Sequence, residues 1–230
     1  MQQLVQQGVP RLIAFDLDGT LVDSAPDLAN AVNATLAELK LPEYHQDQVR
    51  GWIGNGAQVL IKRALAGDIK GEVPAELLEK VYPTFLKYYA EHLCVDSVLY
   101  SGVKDTLQAL KQSGIALACI TNKPSQFTLP LLEQLGVAEF FDYVACGNTF
   151  SEKKPHPMPL LQVAEHFNVE PEQALMVGDS INDMQAAIAA GFKSVCVDYG
   201  YAGEHDIYTM GADVIISEFS QLNEFLQKAA

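Results

Sequence analysis

Side chains able to do chemistry follow three short apolar runs of this sequence and one polar loop. They are Asp16 and Asp18 after the first run, Thr121 after the second, Lys154 in the loop, and Asp179 and Asp183 after the third. Taken singly, each is explained more simply as a turn residue, a helix N-cap or a solvated charge. Acidic groups, a hydroxyl and a cation delivered together to one rim of a sheet would instead form a site.

The charges of this set indicate what kind of ligand the site takes. If Asp16 and Asp179 converge within about 4 Å, their repulsion costs on the order of 4 kcal/mol, so the site should recruit a cation or a proton. Mg²⁺ suits a few carboxylate oxygens completed by water and phosphate oxygens. Lys154 adds a positive charge aimed at the remaining oxygens of an anion. We therefore expect a phosphate ester as the ligand.

Alternating strand and helix patterns predict the frame that positions these residues. Apolar runs typical of buried parallel strands cover residues 11–15, 115–120, 143–146, 174–177, 194–197 and 213–216. Amphipathic stretches typical of crossover helices cover residues 103–112, 125–135, 157–167, 182–190 and 219–227. This order predicts an α/β fold with a doubly wound, Rossmann-like parallel-sheet core, in which ligands collect at the carboxyl ends of the strands.

One interval breaks the alternation and predicts an all-helical cap domain inserted into the core. Residues 24–97 show only helical patterns, over 26–39, 56–66 and 74–93, the last interrupted by Pro83. The predicted division is therefore an α/β core of residues 1–23 and 98–230 and a helical cap of residues 24–97. Its two linkers should run close together and act as a hinge.

Composition and charge exclude several classes of protein. A length of 230 residues leaves room for one large domain or one domain with an insert, and 49% apolar against 19% charged residues excludes a disordered chain. A net charge of −14 disfavours binding to nucleic acid and to anionic lipid. The longest apolar stretches fall short of the roughly 20 residues that a membrane-spanning helix needs. We expect no nucleic-acid or membrane partner.

The cysteines and the N-terminus indicate the compartment. The four cysteines lie far apart in the sequence and are expected to be unpaired core thiols, and the histidines lack the spacing of a zinc site. Residues 1–10 are rich in glutamine, lack a basic start and precede no long apolar core, which argues against a signal peptide. We expect a cytoplasmic protein.

Four segments of the sequence resemble the ordered motifs of the haloacid dehalogenase superfamily. They are residues 15–24 (FDLDGTLVDS), residues 121–123 (TNK), Lys154-Pro155, and Gly178-Asp179-Ser180 with Asp183. The helical insert resembles the superfamily's cap that follows the first strand. Residues 51–57 (GWIGNGA) and the helix with Lys62 and Arg63 resemble the cap of the phosphoglycolate phosphatases within it.

The resemblance implies a division of labour between two carboxylates and a magnesium ion. Asp16 would attack phosphorus and form an aspartyl-phosphate, while Asp18 would protonate the leaving alkoxide and later deprotonate water. Mg²⁺ would bind Asp16, the backbone carbonyl of Asp18 and Asp179, with Asp183 in support.

The resemblance also implies which groups bind the transferring phosphoryl oxygens. Thr121, the Asn122 amide and Lys154 would hold these oxygens, where charge stabilisation does most of the work of phosphoryl transfer. Lys123 and Lys153 neighbour the motif residues, and we expect both to be exposed to solvent.

Cap residues are weaker candidates for substrate binding. Gly54, Asn55 and Gly56 would let backbone amides approach a small carboxylate, with charge from Arg63 or Lys62; a plain turn and a solvated helix face explain them equally well. The aromatic residues of the cap are expected to contribute packing: Trp52, Tyr82, Tyr88 and Tyr89.

The sequence therefore predicts a Mg²⁺-dependent hydrolase of small phosphate monoesters, with 2-phosphoglycolate as the first choice of substrate. Alternatives are a sugar-phosphate mutase of the β-phosphoglucomutase type, a phosphatase of broad specificity, and a signalling module that stores phosphate on Asp16. The predicted partner is a small phosphorylated substrate, and we expect a monomer or a weak homodimer.

Overall fold

Six of the strands form one parallel sheet at the centre of the molecule. A computed structural model describes residue 4 and residues 8–228, with side chains up to residue 225. The strands are β1 (Leu12–Phe15), β2 (Val22–Asp23), β3 (Val98–Leu99), β4 (Ala116–Ile120), β5 (Tyr143–Ala145), β6 (Ala174–Gly178), β7 (Lys193–Val197) and β8 (Val214–Ile216). The large sheet has the order β5-β4-β1-β6-β7-β8. The predicted α/β class with a doubly wound core is confirmed.

Helices cover both faces of this sheet and form the insert. Their bounds are α1 (Ala25–Glu38), α2 (Gln46–Arg50), α3 (Ala57–Ala66), α4 (Ala75–Glu91), α5 (Val103–Gln112), α6 (Ser125–Gln134), α7 (Met158–Phe167) and α8 (Ile181–Ala190). Short 3₁₀ turns cover Ala138–Phe140, Pro171–Gln173 and Ile207–Thr209, and a longer 3₁₀ helix covers Phe219–Lys228.

The central strand β1 faces two separate apolar layers. Its side chains alternate, so that Ile13 and Phe15 pack on one face of the sheet and Leu12 and Ala14 on the other. The first face is covered by α5 and α6 and is continuous with the apolar core of the cap. The second face is covered by α7 and α8. All four residues of β1 are buried, which fixes the position of the loop that follows the strand.

The helices α1 to α4 lie between two short strands that connect them to the sheet. Strands β2 and β3 pair antiparallel, with Val22 opposite Leu99 and Asp23 opposite Val98. An all-helical cap inserted into the α/β core, as the sequence predicted, is thus confirmed. The exact division at residues 24 and 97 stays a prediction. The predicted core also includes residues 1–3, 5–7 and 229–230, which lie outside the described residues.

Two segments differ from their predictions. Pro83 does not interrupt its helix, because α4 continues from Ala75 to Glu91 while its buried side chains Val81 and Phe85 stay on one face. The predicted final α-helix is a 3₁₀ helix. Its buried side chains Phe219, Leu222 and Phe225 recur every three residues, a spacing that a 3₁₀ helix also places on one side, so the contacts with the core decide the helix type.

The four cysteines are unpaired, as expected from their spacing in the sequence. Cys119, Cys146 and Cys196 are buried. Among the residues that the structure describes, no helix combines the length and the apolar character needed to cross a bilayer.

Candidate active site

The carboxyl ends of three strands place Asp16, Thr121 and Asp179 at one edge of the sheet. Asp16 follows β1, Thr121 follows β4 and Asp179 follows β6. The ends of the strands are level, because Phe15 of β1 is in register with Val177 of β6. The N–H of Asp16 continues this pairing by donating to the Val177 carbonyl at 2.9 Å. Residues far apart in the sequence therefore meet at this edge.

Three buried carboxylates form a cluster there. Asp16, Asp179 and Asp183 each offer one oxygen, and these oxygens lie within 4.8 Å of one another. Asp183 comes from the first turn of α8, where its Oδ2 accepts hydrogen bonds from the Ser180 N–H at 3.0 Å and the Ser180 hydroxyl at 2.6 Å. The structure thus brings together three residues that the sequence proposed as metal ligands.

The Asp179 carboxylate is held rigidly by its neighbours. The Thr20 hydroxyl donates to Oδ1 at 2.7 Å, and the backbone N–H of Tyr201 donates to Oδ2 at 2.6 Å. Gly19 has a φ of 90°, and any side chain there would collide with this carboxylate. The sequence analysis assigned no role to Thr20 or Tyr201. Thr20 belongs to the first sequence motif and could have been considered, whereas nothing in the sequence connects Tyr201 with Asp179.

Lys154 lies between two of these carboxylates. Its Nζ atom is 2.6 Å from Asp183 Oδ1 and 2.8 Å from Asp16 Oδ1. The Asn122 side chain fixes the Lys154 backbone, accepting from its N–H at 3.1 Å and donating to its carbonyl at 2.9 Å. Lys154 is therefore a buried cation whose position is set by the loop after β4.

The cluster shifts the pKa values of its members. Burial raises the pKa of Asp16 to about 6, because desolvation and the nearby Asp183 outweigh the attraction of Lys154. Burial and the two other carboxylates raise the pKa of Asp179 well above its usual range. Burial lowers the pKa of Lys154, but the attraction of Asp16 and Asp183 is stronger and the net shift is upward. The lysine therefore stays protonated.

The donor set of the cluster fits a divalent cation. Asp16 Oδ1 is buried and, within the described part of the chain, has no hydrogen-bond partner of suitable geometry, although Lys154 Nζ is at ion-pair distance. Three carboxylates share one ammonium group, which leaves an excess of negative charge in a buried site. Divalent cations of the hard class prefer carboxylate oxygens. The residues present therefore suit a bound divalent metal ion.

Asp18 is held by two side chains. Ser24 donates to Asp18 Oδ1 at 2.5 Å, and Lys123 Nζ contacts both Asp18 oxygens at 2.9 and 3.1 Å. The expectation that Lys123 is exposed is wrong, because its exposed fraction is 4%. The Asp18 carboxylate and the ring of Tyr89, 4.8 Å from Nζ, replace water around the ammonium. The expectation that Lys153 is exposed is confirmed.

A cavity lies between the cap and the core. Its polar wall contains Asp16, Asp18, Thr121 and Lys123. Its other lining residues are Leu28, Ile53, Gly54, Gly56, Ala57, Leu60, Tyr89, Asn122, Pro124 and Phe127. The cavity therefore contains the proposed nucleophile and the proposed acid, and the cap supplies much of its apolar surface.

The cap loop of Gly54 to Gly56 contacts the core directly. The Gly54 carbonyl accepts from Asn122 Nδ2 at 3.0 Å and from Asn182 Nδ2 at 3.3 Å, and Asn55 Nδ2 donates to Asn182 Oδ1 at 3.2 Å. A side chain at Gly56, whose φ is 90°, would press against the Asn122 carbonyl. These contacts hold the cap closed over the cavity. Asn182 was not predicted, although it stands between two motif residues of the sequence.

These bonds change the expected role of Asn122. Its side-chain nitrogen already donates to the Gly54 and Lys154 carbonyls, and its oxygen accepts from the Lys154 N–H. Both N–H groups of the Asn122 carboxamide are thus used within the protein, where they position Lys154 and the cap loop. The side chain of Asn55 is also bonded to Asn182 and does not line the cavity.

The structure does not bring Arg63 to the cavity, contrary to its prediction as a substrate-binding residue. Its guanidinium donates to the Trp52 carbonyl at 2.6 Å and to the Ile69 carbonyl at 3.1 Å. Lys62 pairs with the exposed Glu72 at 2.9 Å. Both cations of α3 therefore serve the cap itself, because the loops on either side of the helix offer them acceptors.

The aromatic residues of the cap differ in their surroundings. Trp52 is buried and packs edge-on against Tyr44 at 4.9 Å between ring centroids, as expected of a packing residue. Tyr88 donates to Glu38 at the surface. Tyr89 does more than pack, because it lines the cavity and lies against Lys123.

Residues 13–197 match a family described as haloacid dehalogenase-like hydrolase. The chain belongs to this family. The match includes most of β1, the helical insert and the loop with Asp179 and Asp183, so it spans every residue of the site described above except Tyr201. The family predicted from the sequence motifs is confirmed.

Relatives within the family share nearly the full length of the chain. A protein named phosphoglycolate phosphatase from Nitrosococcus oceani is 45% identical over 96% of this chain and 98% of its own. Another of that name, from Colwellia psychrerythraea, is 46% identical over 92% of this chain and 94% of its own. A solved structure described as a predicted phosphoglycolate phosphatase from Haemophilus somnus is 40% identical, covers 96% and 99% of the two chains, and superposes with a TM-score of 0.90.

Proposed function

We propose that this protein is a Mg²⁺-dependent phosphomonoesterase that converts 2-phosphoglycolate to glycolate and phosphate through an aspartyl-phosphate on Asp16. The observation that carries the proposal is the buried cluster of Asp16, Asp179 and Asp183 with Lys154 beside it, next to Asp18 in a closed cavity. Relatives that share 45% and 46% of the sequence support the choice of substrate by their names.

The acidic cluster supports magnesium as the metal. Asp16, Asp179 and Asp183 would hold the ion together with the backbone carbonyl of Asp18. When bound, the ion offsets the charge of the carboxylates and polarises a phosphoryl oxygen. The fixed position of the Asp179 carboxylate, with one bond from Thr20 and one from the Tyr201 backbone, suits the strict geometry that magnesium requires.

The first half-reaction transfers the phosphoryl group to the protein. An oxygen of Asp16 attacks phosphorus, the new O–P bond forms, and the ester O–P bond breaks. The leaving alkoxide takes a proton from Asp18 and departs as the hydroxyl of glycolate. The bonds of Ser24 and Lys123 to Asp18 hold this acid in a fixed place at the cavity wall.

The second half-reaction returns the phosphoryl group to water. Asp18, now a carboxylate, takes a proton from a water molecule, and the hydroxide attacks phosphorus. The O–P bond to Asp16 breaks, which restores the Asp16 carboxylate and releases inorganic phosphate. Each turnover therefore leaves Asp18 protonated for the next ester.

Lys154 and Thr121 support the charge that develops on the phosphoryl oxygens. Lys154 is buried, stays protonated and is fixed through its backbone by Asn122. Thr121 lines the cavity at the end of β4, where its hydroxyl oxygen accepts from the Lys123 N–H at 3.1 Å and its proton stays available for a phosphoryl oxygen. Fixed donors in a site without bulk water stabilise such charge more strongly than water does.

The cap loop beside the cavity favours a small substrate. The space between the cap and Asp16 must hold both the phosphate and the leaving group, and cap side chains such as Ile53 and Leu60 line it. The loop of Gly54 to Gly56, bonded to Asn122 and Asn182, closes one side of this space. A two-carbon leaving group needs less room beneath this loop than a sugar or a nucleoside does.

The test is a panel of phosphate esters with and without a chelator. We expect release of inorganic phosphate from 2-phosphoglycolate with a kcat/KM well above that for glucose 6-phosphate, pyridoxal phosphate and nucleotides, and loss of activity with chelator. Similar rates on every ester would indicate a broad phosphatase. Transfer without net phosphate release would indicate a mutase. A cytoplasmic location and a monomer or weak homodimer stay predictions.

A further inference from the structure

A second charged centre lies in the same cavity as the reacting carboxylates. Lys123 Nζ contacts both oxygens of Asp18 and lies 4.8 Å from the centre of the Tyr89 ring. Lys123 is 4% exposed and Tyr89 is 1% exposed. Among the described residues that line the cavity, Lys123 is the only cation. This centre is separate from Lys154, which contacts Asp16 and Asp183.

The Lys123–Tyr89 pair has a hydrogen-bond donor to spare. The Tyr89 hydroxyl is buried, and its proton has no acceptor in the described part of the structure. Lys123 directs protons to both Asp18 oxygens and lies within hydrogen-bonding range of the Tyr89 oxygen, so the donor left without an acceptor is the hydroxyl proton of Tyr89. Buried donors in folded proteins nearly always have a partner. This free donor, beside the buried ammonium group, points to a ligand with acceptor oxygens.

Packing alone does not explain the hydroxyl of Tyr89. The ring lies between Phe127, at 4.8 Å between centroids, and Phe85, at 5.8 Å. Phenylalanine would fill this space equally well and would leave no buried donor without a partner. The two neighbouring rings also hold Tyr89 in place, so a ligand would not have to order this ring on binding.

We propose that Lys123 and Tyr89 bind a carboxylate on the leaving group and so select phosphate esters whose leaving group is negatively charged. This inference rests on the proposed function and adds the residues that recognise the glycolate half of the substrate. Lys123 bridges the Asp18 carboxylate and the substrate carboxylate. Lys154 is an example in this protein of one ammonium group bridging two carboxylates, since its Nζ lies 2.8 Å from Asp16 and 2.6 Å from Asp183.

The test compares two esters of equal chain length, 2-phosphoglycolate and ethyl phosphate, which lacks the carboxylate. The variant is Tyr89→Phe, which removes only the hydroxyl. The matched control is Tyr82→Phe, a half-buried tyrosine of the same helix that does not line the cavity. We expect Tyr89→Phe to lower kcat/KM for 2-phosphoglycolate about tenfold, with a change below about twofold for ethyl phosphate. Tyr82→Phe should leave both values unchanged.

A second variant, Lys123→Gln, tests the charge. We expect it to lower the ratio of kcat/KM for 2-phosphoglycolate to that for ethyl phosphate by about 30-fold or more. Because Lys123 also contacts Asp18, the ratio of the two substrates is the readout. Equal losses on both esters would show that the pair serves Asp18 or the fold, and would overturn the proposal.

The outcomes separate this inference from the proposed function. A wild-type preference for 2-phosphoglycolate that both variants retain would leave the proposed function standing and overturn the role of Lys123 and Tyr89. A wild type that hydrolyses both esters equally well would overturn both. A preference that falls in Tyr89→Phe and Lys123→Gln, but not in Tyr82→Phe, is the result that supports the proposal.

Discussion

Replacing Asp16 by asparagine should stabilise the metal-free protein at neutral pH. In the folded protein the Asp16 carboxylate is buried beside Asp179 and Asp183, and Lys154 offsets only part of the negative charge. Burial, opposed by Lys154, raises the pKa of Asp16 from 3.8 to about 6. The metal-free folded state therefore holds an ionised Asp16 at neutral pH at a cost in stability.

The sign and size of the effect come from linkage. The pKa of Asp16 is higher in the folded state than in the unfolded state, so the folded protein is favoured when Asp16 is protonated. This favourable contribution to the free energy of unfolding is fully present below pH 3.8 and is lost as the pH rises through about 6. The two pKa values are roughly two pH units apart, which corresponds to about 3 kcal/mol. Since this loss requires a group that ionises, Asp16→Asn should avoid it.

The assay is urea unfolding of wild type and Asp16→Asn in the presence of a chelator. The free energy of unfolding of Asp16→Asn minus that of wild type should increase by about 3 kcal/mol between pH 4 and pH 7.5. Asp142→Asn is a control of opposite sign. Partial burial raises the pKa of Asp142, but the Lys111 partner and the Leu117 N–H outweigh it and the net shift is downward. The stability that this carboxylate contributes is therefore present above pH 3.8 and lost as the pH falls below it, so Asp142→Asn should be less stable than wild type by a nearly constant amount between about pH 5 and 7.5.

Magnesium provides the second arm of the assay. At about 100 times its dissociation constant a ligand of the folded state adds about 2.7 kcal/mol to the free energy of unfolding. Wild type should show such a gain near pH 7.5 and Asp16→Asn a smaller one. If the difference in stability between the two proteins stays constant with pH, the reasoning about the cluster is refuted.

Three further substitutions test other parts of the site and the hinge. Lys154→Met removes the cation between Asp16 and Asp183 and should lower kcat at least about 100-fold; a loss below tenfold would contradict its role. Asn182→Ala removes two hydrogen bonds to the cap loop and should raise KM about fivefold with kcat within twofold. An unchanged KM would show that these two bonds do not help to hold the cap loop over the cavity. Arg50→Met breaks a two-bond ion pair with Asp23 beside β2 and should lower the free energy of unfolding by about 1–2 kcal/mol. Its control, Lys62→Met, breaks a more exposed pair and should cost under about 0.5 kcal/mol; equal losses would contradict this ranking.

The reacting carboxylates could be predicted from the sequence because strand order and strand ends are local signals. Apolar runs ending at Phe15, Ile120 and Val177 predicted parallel strands, and parallel strands bring the residues after their carboxyl ends to one edge. Asp183 lies one helical turn after Asp179, so its position is set by the same strand. The cluster of three carboxylates thus needed no knowledge of side-chain packing.

The surroundings of Asp18 could not be predicted in the same way. Lys123 is buried because it meets Asp18, 105 positions earlier in the chain, and the ring of Tyr89 from a cap helix. A lysine next to a proline in a loop is otherwise a solvated charge. Arg63 shows the converse, since its acceptors are backbone carbonyls whose positions depend on how the cap loops fold.

The sequence predicted the hinge but not the two short strands in it, and it predicted the wrong type of helix for the C-terminal segment. Strands β2 and β3 have two residues each, which is too short for any alternation to be visible. The apolar residues of the C-terminal segment recur every three positions, and both an α-helix and a 3₁₀ helix place such residues on one side. Tertiary contacts, and not the pattern, decide such cases.

The most direct test of the account is to find the phosphoryl group on the protein. Asp18→Asn should accept a phosphoryl group from acetyl phosphate with Mg²⁺, because acetate needs no proton to leave, and should then fail to activate water. Mass spectrometry after acid quenching should place the phosphoryl group on the peptide that contains Asp16, and Asp16→Asn should show none. Phosphate release by Asp18→Asn without a phosphorylated protein, or a phosphoryl group on any residue other than Asp16, would contradict the account.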